Sequence, residues 1–417
     1  MKLDLAKFSN ANSNIEILTK DINSKQYLML DIQDDCVKVC YSDGKISYIE
    51  SVEGEGEEGD SVNKVVVELS GLLQKLGVCK AKAPIQVDPL QLAIVSEDAI
   101  EMNCQKYIDK LVVDEDGEYV DDGTGQAKTE RVDTNKVNTK LKFHQISDNI
   151  RFSMTTKMNY DEIFNGDGWV TCEVSEFKNL LNKLSKTDGA RDCYISPKKK
   201  SGFSVGTAYT VVLPLNFEGV ACSLSVSAVK KLYNVLSKVK AETVNLLAES
   251  SQFLKVTSED KDLGLVFEQS PVVKQQLATL GTFESMDYST QGLQFYKAVL
   301  SDMVDGTVAV SGAEIETALE FMVEGDAVKA STVKKGTGNG IDTFSVTTSK
   351  VIGELSQFAG FRVELSFNVL KTILGNCDGE FVEFGFANME DEKYMRITDI
   401  TKDGKEDKVL GYYYLCV

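Results

Sequence analysis

The 417-residue chain is long enough for two or three domains at about 150 residues each, and its 42% hydrophobic content is enough to fill several cores. Its 64 acidic against 45 basic residues give a formal charge of −19, a sum that argues against a phosphate-rich partner unless the lysines are segregated. A single histidine and nine scattered cysteines without a C-x-x-C pair exclude multi-histidine metal centres, and they make a disulfide framework or a zinc site improbable.

The N-terminus carries an acid at Asp4 and lacks an apolar stretch of the secretory type, so no signal segment is expected, and no window reaches the roughly 18 apolar residues of a membrane span. Free thiols in a reducing cytoplasm follow as the expected state. From Phe8 to Lys20, Asn and Ser caps with Ile15, Ile17 and Leu18 read as a helix, followed by strands at Tyr27–Ile32 and Val37–Tyr41. The acidic run Glu53–Asp60 reads as a loop insertion. Val65 to Leu69 is a β-type run that passes through Ser70 into the helical pattern Leu72, Leu73, Leu76 and stops at Gly77.

The stretch Asp114–Lys136 is a second insertion. Its acidic part, Asp114–Asp122, lacks the glycine at the sixth position of an EF-hand loop and reads as solvated surface. His144, in the alternation Lys140 to Gln145, reads as a strand histidine. After the polar stretch Asp148–Asp167 the strand–Ser–helix pattern returns twice. It appears as Cys172-Glu173-Val174-Ser175 into Phe177, Leu180 and Leu181, then as Cys222 to Ser225 into Val229 and Leu232, with alternation at Thr243–Leu247 behind it.

A boundary is expected near Pro271–Thr282. Ser289-Thr290 then opens a helix over Leu293, Phe295, Tyr296, Val299 and Leu300. Gly336-Thr337-Gly338-Asn339-Gly340 follows Lys334-Lys335 and so lacks the order of a phosphate-binding loop; a hairpin tip is expected. The last unit passes from Val363 to Leu365 through Ser366 into Val369, Leu370, Ile373 and Leu374, then into strands at Glu380–Phe386, Tyr394–Ile397 and Leu410–Val417. Each serine is placed to cap its helix by accepting from a first-turn amide.

Six units therefore start near residues 8, 70, 175, 225, 290 and 366, each a strand, a helix and two or three antiparallel strands. The intervals from Ser70 to Ser225 and from Ser225 to Ser366 pair them into three α+β domains of two βαβββ halves each, at 1–150, 151–275 and 276–417.

Three such domains in series resemble the bacterial-type DNA polymerase sliding clamp, the processivity factor, and Phe361–Val417 carries the best of the likeness. The acidic insertions lengthen the first domain beyond the family's, which fits a divergent, phage-encoded member. The resemblance implies a head-to-tail homodimer closed into a ring of six domains, with helices lining the hole and sheets outside. Duplex DNA would pass through without sequence readout, and polymerase and clamp loader would be tethered by short peptides. It implies neither a cofactor nor catalysis. The residues alone leave a three-subunit ring open.

Charge placement fits this reading. Val226–Lys240 holds Lys230, Lys231, Lys238 and Lys240 without an acid; Gly71–Ala83 holds Lys75, Lys80 and Lys82, also without one. Ser175–Lys186 holds Lys178, Lys183 and Lys186 against Glu176, and the third domain adds Lys297 and Lys371. A solvated helix face is the plain alternative for any one of these. By position, the resemblance places a partner-peptide cleft at Tyr209, Val211, Val244, Leu246, Pro271, Val272, Tyr413, Tyr414, Leu415 and Val417. The family's Asp-Gly-His-Arg-Leu turn is here only Gly206-Thr207-Ala208-Tyr209-Thr210-Val211, and the Met-Pro-rich ending is replaced by Tyr412 to Val417, so a different peptide is implied. The competing reading is a β-rich viral assembly protein without DNA contact, and an enzyme is a distant third.

Overall fold

The computed structural model describes residues 1–56, 63–96, 99–142, 160–249, 252–289, 293–311, 317–324, 327–334, 344–347, 361–389, 392–404 and 406–417. His144 and the glycine-rich segment 336–340 lie outside the described residues.

Within every repeat a strand leads into a helix, and a three-stranded meander follows. In the first domain β1 (Lys2–Leu3) precedes α1 (Leu5–Thr19) and the meander β2 (Tyr27–Ile32), β3 (Cys36–Ser42) and β4 (Ile46–Glu55). Then β5 (Asn63–Glu68) precedes α2 (Leu69–Cys79), the short β6 (Gln86–Val87), and β7 (Leu90–Ser96), β8 (Ala99–Leu111) and β9 (Thr129–Lys142). The second domain runs β10 (Val170–Glu173), α3 (Val174–Ser185), β11 (Asp192–Ser196), β12 (Ser201–Val205) and β13 (Thr210–Pro214). Its other half is β14 (Cys222–Ser225), α4 (Val226–Leu236), β15 (Thr243–Glu249), β16 (Phe253–Ser258) and β17 (Leu263–Glu268). After α5 (Lys274–Ser285) come β18 (Gln294–Tyr296), α6 (Lys297–Ser311), β19 (Thr317–Glu324), β20 (Ala327–Lys334) and β21 (Ser345–Thr347). The chain ends with β22 (Phe361–Glu364), α7 (Phe367–Asn376), β23 (Phe381–Met389), β24 (Glu392–Asp403) and β25 (Glu406–Cys416).

The helices form where apolar residues recur at helical spacing: Leu69, Leu72, Leu76 and Cys79 bury one face of α2, and Phe367, Leu370, Ile373 and Leu374 bury one face of α7. The serine caps are less uniform than expected. Ser225 Oγ accepts from the Ala228 amide at 3.2 Å, but Ser366 holds the N-cap position without that bond, and Ser70 donates to Glu68 instead. Asp4 caps α1 by accepting from the amides of Ala6 and Lys7 at 2.7 and 3.0 Å. The helix expected at Ser289 starts only at Lys297, because Gln294–Tyr296 pairs as β18 with β23.

One pairing that the order of elements does not specify recurs in all three domains. The strand before each helix pairs with the meander of the other half: β1 with β7 and β5 with β2, β10 with β15 and β14 with β11, β18 with β23 and β22 with β19. Each βαβββ unit thus pairs its first strand with its sibling, β1 also pairing with β4 of its own half, and this ties the two halves of a domain together.

Domains are joined by their sheets. The third strand of the first domain's first meander, β4, pairs with the third strand of the second domain's second meander, β17, from Leu263↔Glu50 to Phe267↔Ile46. In the same way β13 pairs with β25, Thr210↔Tyr414 to Val212↔Tyr412. The chain accordingly divides into two compact units, Met1–Val174 with Asn234–Glu268 and Ser175–Tyr233 with Gln269–Val417, with the second repeat domain shared between them. The first holds a 13-stranded sheet, and the second holds sheets of eight and four strands. Much of the expected loop Asp114–Lys136 is ordered as the far end of the β8–β9 ribbon, whose tip carries the acids.

Candidate functional site

Two surfaces follow from the sequence reading: the lysine-bearing helices and the apolar cleft. Lys75 is half-buried on α2, while Lys80 and Lys82 are exposed just past its end. Lys178 is half-buried on α3, and Lys186 is exposed beyond that helix. Lys230 is exposed and Lys231 half-buried on α4; Lys238 and Lys240 lie exposed beyond Leu236. Five of these lysines therefore follow a helix C-terminus, where cations also complement the helix dipole. Position past the helix end, not on its face, is a correction to the sequence reading for Lys80, Lys82, Lys186, Lys238 and Lys240.

Three other lysines are engaged within the protein. Lys183 is buried, with its ammonium 2.8 Å from Asp378 and 3.8 Å from Asp399, so it is withdrawn from any ligand-facing role. Lys297 donates to the Cys377 carbonyl at 2.8 Å, and Lys371 pairs with Asp305 at 2.8 Å. The third domain's helices thus offer little unpaired positive charge.

The cleft residues separate by sheet face. Tyr209 and Tyr413 are buried with ring centroids 6.3 Å apart; Tyr209 donates to the Lys186 carbonyl at 2.8 Å and Tyr413 to that of Asn376 at 3.2 Å. Val211 pairs with Tyr413 on the same helix-facing side, and Leu415 is buried two residues further along. Val244 and Leu246 are core residues of β15 in the other compact unit. The side chains of these six are buried within the fold. Tyr414 points to the opposite face, Val417 is half-buried, and Pro271 and Val272 are exposed.

On that opposite face lies an aromatic trough that the sequence reading missed. It joins Tyr194, Phe203, Val212, Tyr288, Ala387 and Tyr414 beneath Leu280 and Phe283 of α5. Tyr194 stacks on Phe203 at 4.9 Å and Phe283 on Tyr414 at 5.4 Å. The Arg396 guanidinium sits 4.8 Å from the Tyr288 ring centre and 5.4 Å from that of Tyr412. The available signal was alternation: Tyr412 and Tyr414 must face away from Tyr413 in a strand.

Beneath the other face, Asp399 is fully buried and accepts from the amides of Asp378 and Gly379 at 2.9 and 2.8 Å. Burial pushes its carboxyl above the ordinary range, against those donors and Lys183. For Asp378, hydrogen bonds from Lys183 and Asn179 outweigh burial and hold the carboxyl below its usual value. All nine cysteines are free, and burial pushes the Cys193 and Cys222 thiols up to about 12, so both remain neutral thiols at pH 7. No helix among the described residues is long and apolar enough to cross a membrane.

With this geometry the fold matches solved structures over its whole length. The β clamp of H. pylori in complex with 5-chloroisatin superposes with a TM-score of 0.66 at 11% identity, covering 100% of this chain and 99% of that one. A putative DNA polymerase III β subunit from Eubacterium rectale gives 0.65 at 10% identity, with 100% and 99% covered. The DNA polymerase III β subunit of Thermotoga maritima gives 0.64 at 10% identity, with 100% and 98% covered. No protein-family model matches the chain, and no curated protein matches it by sequence. The chain has the sliding-clamp fold of three duplicated α+β domains.

Proposed function

We propose that this chain is a DNA sliding clamp: two copies, by the family's count of six domains, close head to tail around duplex DNA and tether a polymerase and its loader without catalysis. The observation that carries this reading is the rule of the sheet joints. In β4–β17 and in β13–β25, the third strand of a first meander meets the third strand of a second meander. Two third strands are left over: among the described residues β9 pairs only with β8, and β21 only with β20. One is of each kind, so a repeat of the same joint between copies, β21 on β9 of the next, would close the assembly and cover both edges.

The exposed lysines Lys80, Lys82, Lys186, Lys230, Lys238 and Lys240 support sequence-independent phosphate contact, since point charges position DNA without reading it. Within this reading the partner peptides belong at the Tyr414, Pro271 and Val272 side of the eight-stranded sheet, and the protein acts in a bacterial or phage-infected cytoplasm.

The test is topological. In light scattering the protein should run at about 92 kDa, twice the 45.9 kDa chain. Once loaded it should stay on nicked circular DNA and be lost when the circle is cut. Changing Lys230, Lys231, Lys238 and Lys240 to Glu should remove polymerase stimulation without altering the dimer. A monomer at micromolar concentration, or equal retention on cut and uncut DNA, would overturn the reading.

A further inference from the structure

The aromatic trough of the eight-stranded sheet has a cover that is weakly held. Gly202 of β12 faces Leu180 and Leu184 of α3, so its neighbour Phe203 and the trough lie on the face away from the packed helices. Of the twelve residues of α5 only Leu280 and Phe283 are buried, three apart and so on one side of the helix. The N-cap residue, Val273, makes no side-chain bond to the helix. Lys199 also pairs with Glu284, the Tyr194 hydroxyl donates to Gln276, and the Phe283 ring meets Tyr394 edge-on at 5.8 Å. Val272, Val273 and Leu277 leave 57%, 36% and 38% of their surfaces in water. A helix of this length has little stability of its own once unseated. The trough also carries an unmet polar group: the buried Nε of Arg396 has no hydrogen-bond partner among the described residues.

We propose that α5 is a removable cover, and that a short partner segment with an aliphatic residue, an aromatic three positions later and an acid directly after it takes its place in the trough. The chemistry is set by Leu280, Phe283 and Glu284 themselves. The aliphatic and aromatic anchors fill the space between Tyr194, Val212 and Tyr414. The acid meets Lys199, and a carbonyl or carboxylate of the incoming chain supplies the acceptor that Arg396 Nε lacks. Competition with a tethered segment lowers apparent affinity by the fraction of molecules in which α5 is off, so partner exchange is regulated by this helix. The nature of the partner rests on the clamp reading; occupancy of the trough by a displaceable helix does not.

The probe is a labelled synthetic peptide of residues 274–287, added to the full-length protein. The Leu280→Ser/Phe283→Ser variant, whose own helix no longer seats, should bind it at least about tenfold more tightly than wild type. A peptide carrying the same two serines should bind neither protein. On wild type, hydrogen exchange at the amides of residues 277–285 should be at least about 100-fold faster than at Tyr413 and Tyr414 of β25, because the helix opens without the sheet. Equal peptide affinity for the two proteins, no binding to the variant, or α5 amides as protected as those of β25 would overturn the proposal. Retention on circular DNA, measured separately, decides the clamp reading whichever way the peptide result falls.

Discussion

The chain crosses from one repeat domain to the next twice, and the two crossings are held in different ways. At the first, the single turn Tyr160–Phe164 lies over β16 and β17, and the buried Lys255 ammonium donates to the carbonyls of Glu162 and Asn165 at 2.9 and 3.1 Å. Gly264 beneath it has no room for a Cβ, which would stand 2.8 Å from Ile163 and from Ile49. At the second, α5 is longer but is held by two buried apolar side chains, a partly exposed ion pair and a hydrogen bond from the Tyr194 hydroxyl to Gln276. A cover whose backbone acceptors are satisfied by a buried cation belongs to the cooperative fold. One held by two apolar anchors can open by itself. What fixes the second crossing lies on the other face of its sheet, where Lys183 of α3 reaches Asp378 and Asp399 beyond α7.

The sharpest way to break this comparison is Lys183→Met. It leaves Asp399 as a fully buried carboxylate without its cation, and a loss of about 3 kcal/mol is expected in urea unfolding. Next is Lys255→Met, which leaves two carbonyls under the first cover without their donor, at a cost of about 2 kcal/mol. Were Lys255→Met silent, the first cover would be as loosely held as α5 and the contrast would disappear.

The two joints should also respond oppositely to acid. Asp378 has a lowered pKa in the fold, so its contribution is present above the unfolded carboxyl value of about 3.9 and is lost as pH falls through the lower folded value. The destabilisation caused by Asp378→Asn should therefore be seen at pH 7 and should shrink toward pH 3. Glu50, at the first joint, is raised by burial despite bonds from Tyr48 and Asn14. Its stabilising contribution is full below the unfolded value of about 4.3 and is lost as pH rises through the folded one. Glu50→Gln should then be neutral or slightly stabilising at pH 7, with the gain vanishing toward pH 3. Parallel pH profiles of melting temperature for the two variants would contradict this.

Helix positions were legible because they are written locally. Leu72 and Leu76, or Leu370, Ile373 and Leu374, repeat at helical spacing whatever surrounds them. The exchange of leading strands was not, since nothing in Cys172-Glu173 distinguishes pairing with β11 from its actual pairing with β15, 70 residues on. Helix α6 starts later than its apolar spacing predicts, because Leu293, Phe295 and Tyr296 suit a helix face as well as a buried strand. The stretch Lys274–Ser285 has only two apolar anchors, too few for a periodic signal, so α5 was unforeseen. Of the site, the exposed lysines could be chosen by charge, but the engagement of Lys183 with acids some 200 residues away could not. The cleft residues of β13 and β25 are legible as strands, but which face Tyr413 and Tyr414 take is not, because one residue of register decides it.

The smallest expected effect is the most discriminating for the second cover. Among the described residues Lys199 and Glu284 form the charged pair between α5 and the sheet's edge, with 39% and 33% of their side-chain surfaces exposed. An ion pair so placed contributes at most about 0.5 kcal/mol, and salt screens it. Lys199→Ala should thus leave the unfolding midpoint almost unchanged while raising hydrogen exchange across residues 277–285, because the pair restrains only the opening of α5. The same substitution tested in high salt should add nothing further. A global loss comparable to that of Lys255→Met would mean that α5 unfolds only with the whole sheet, and that the two crossings are held alike.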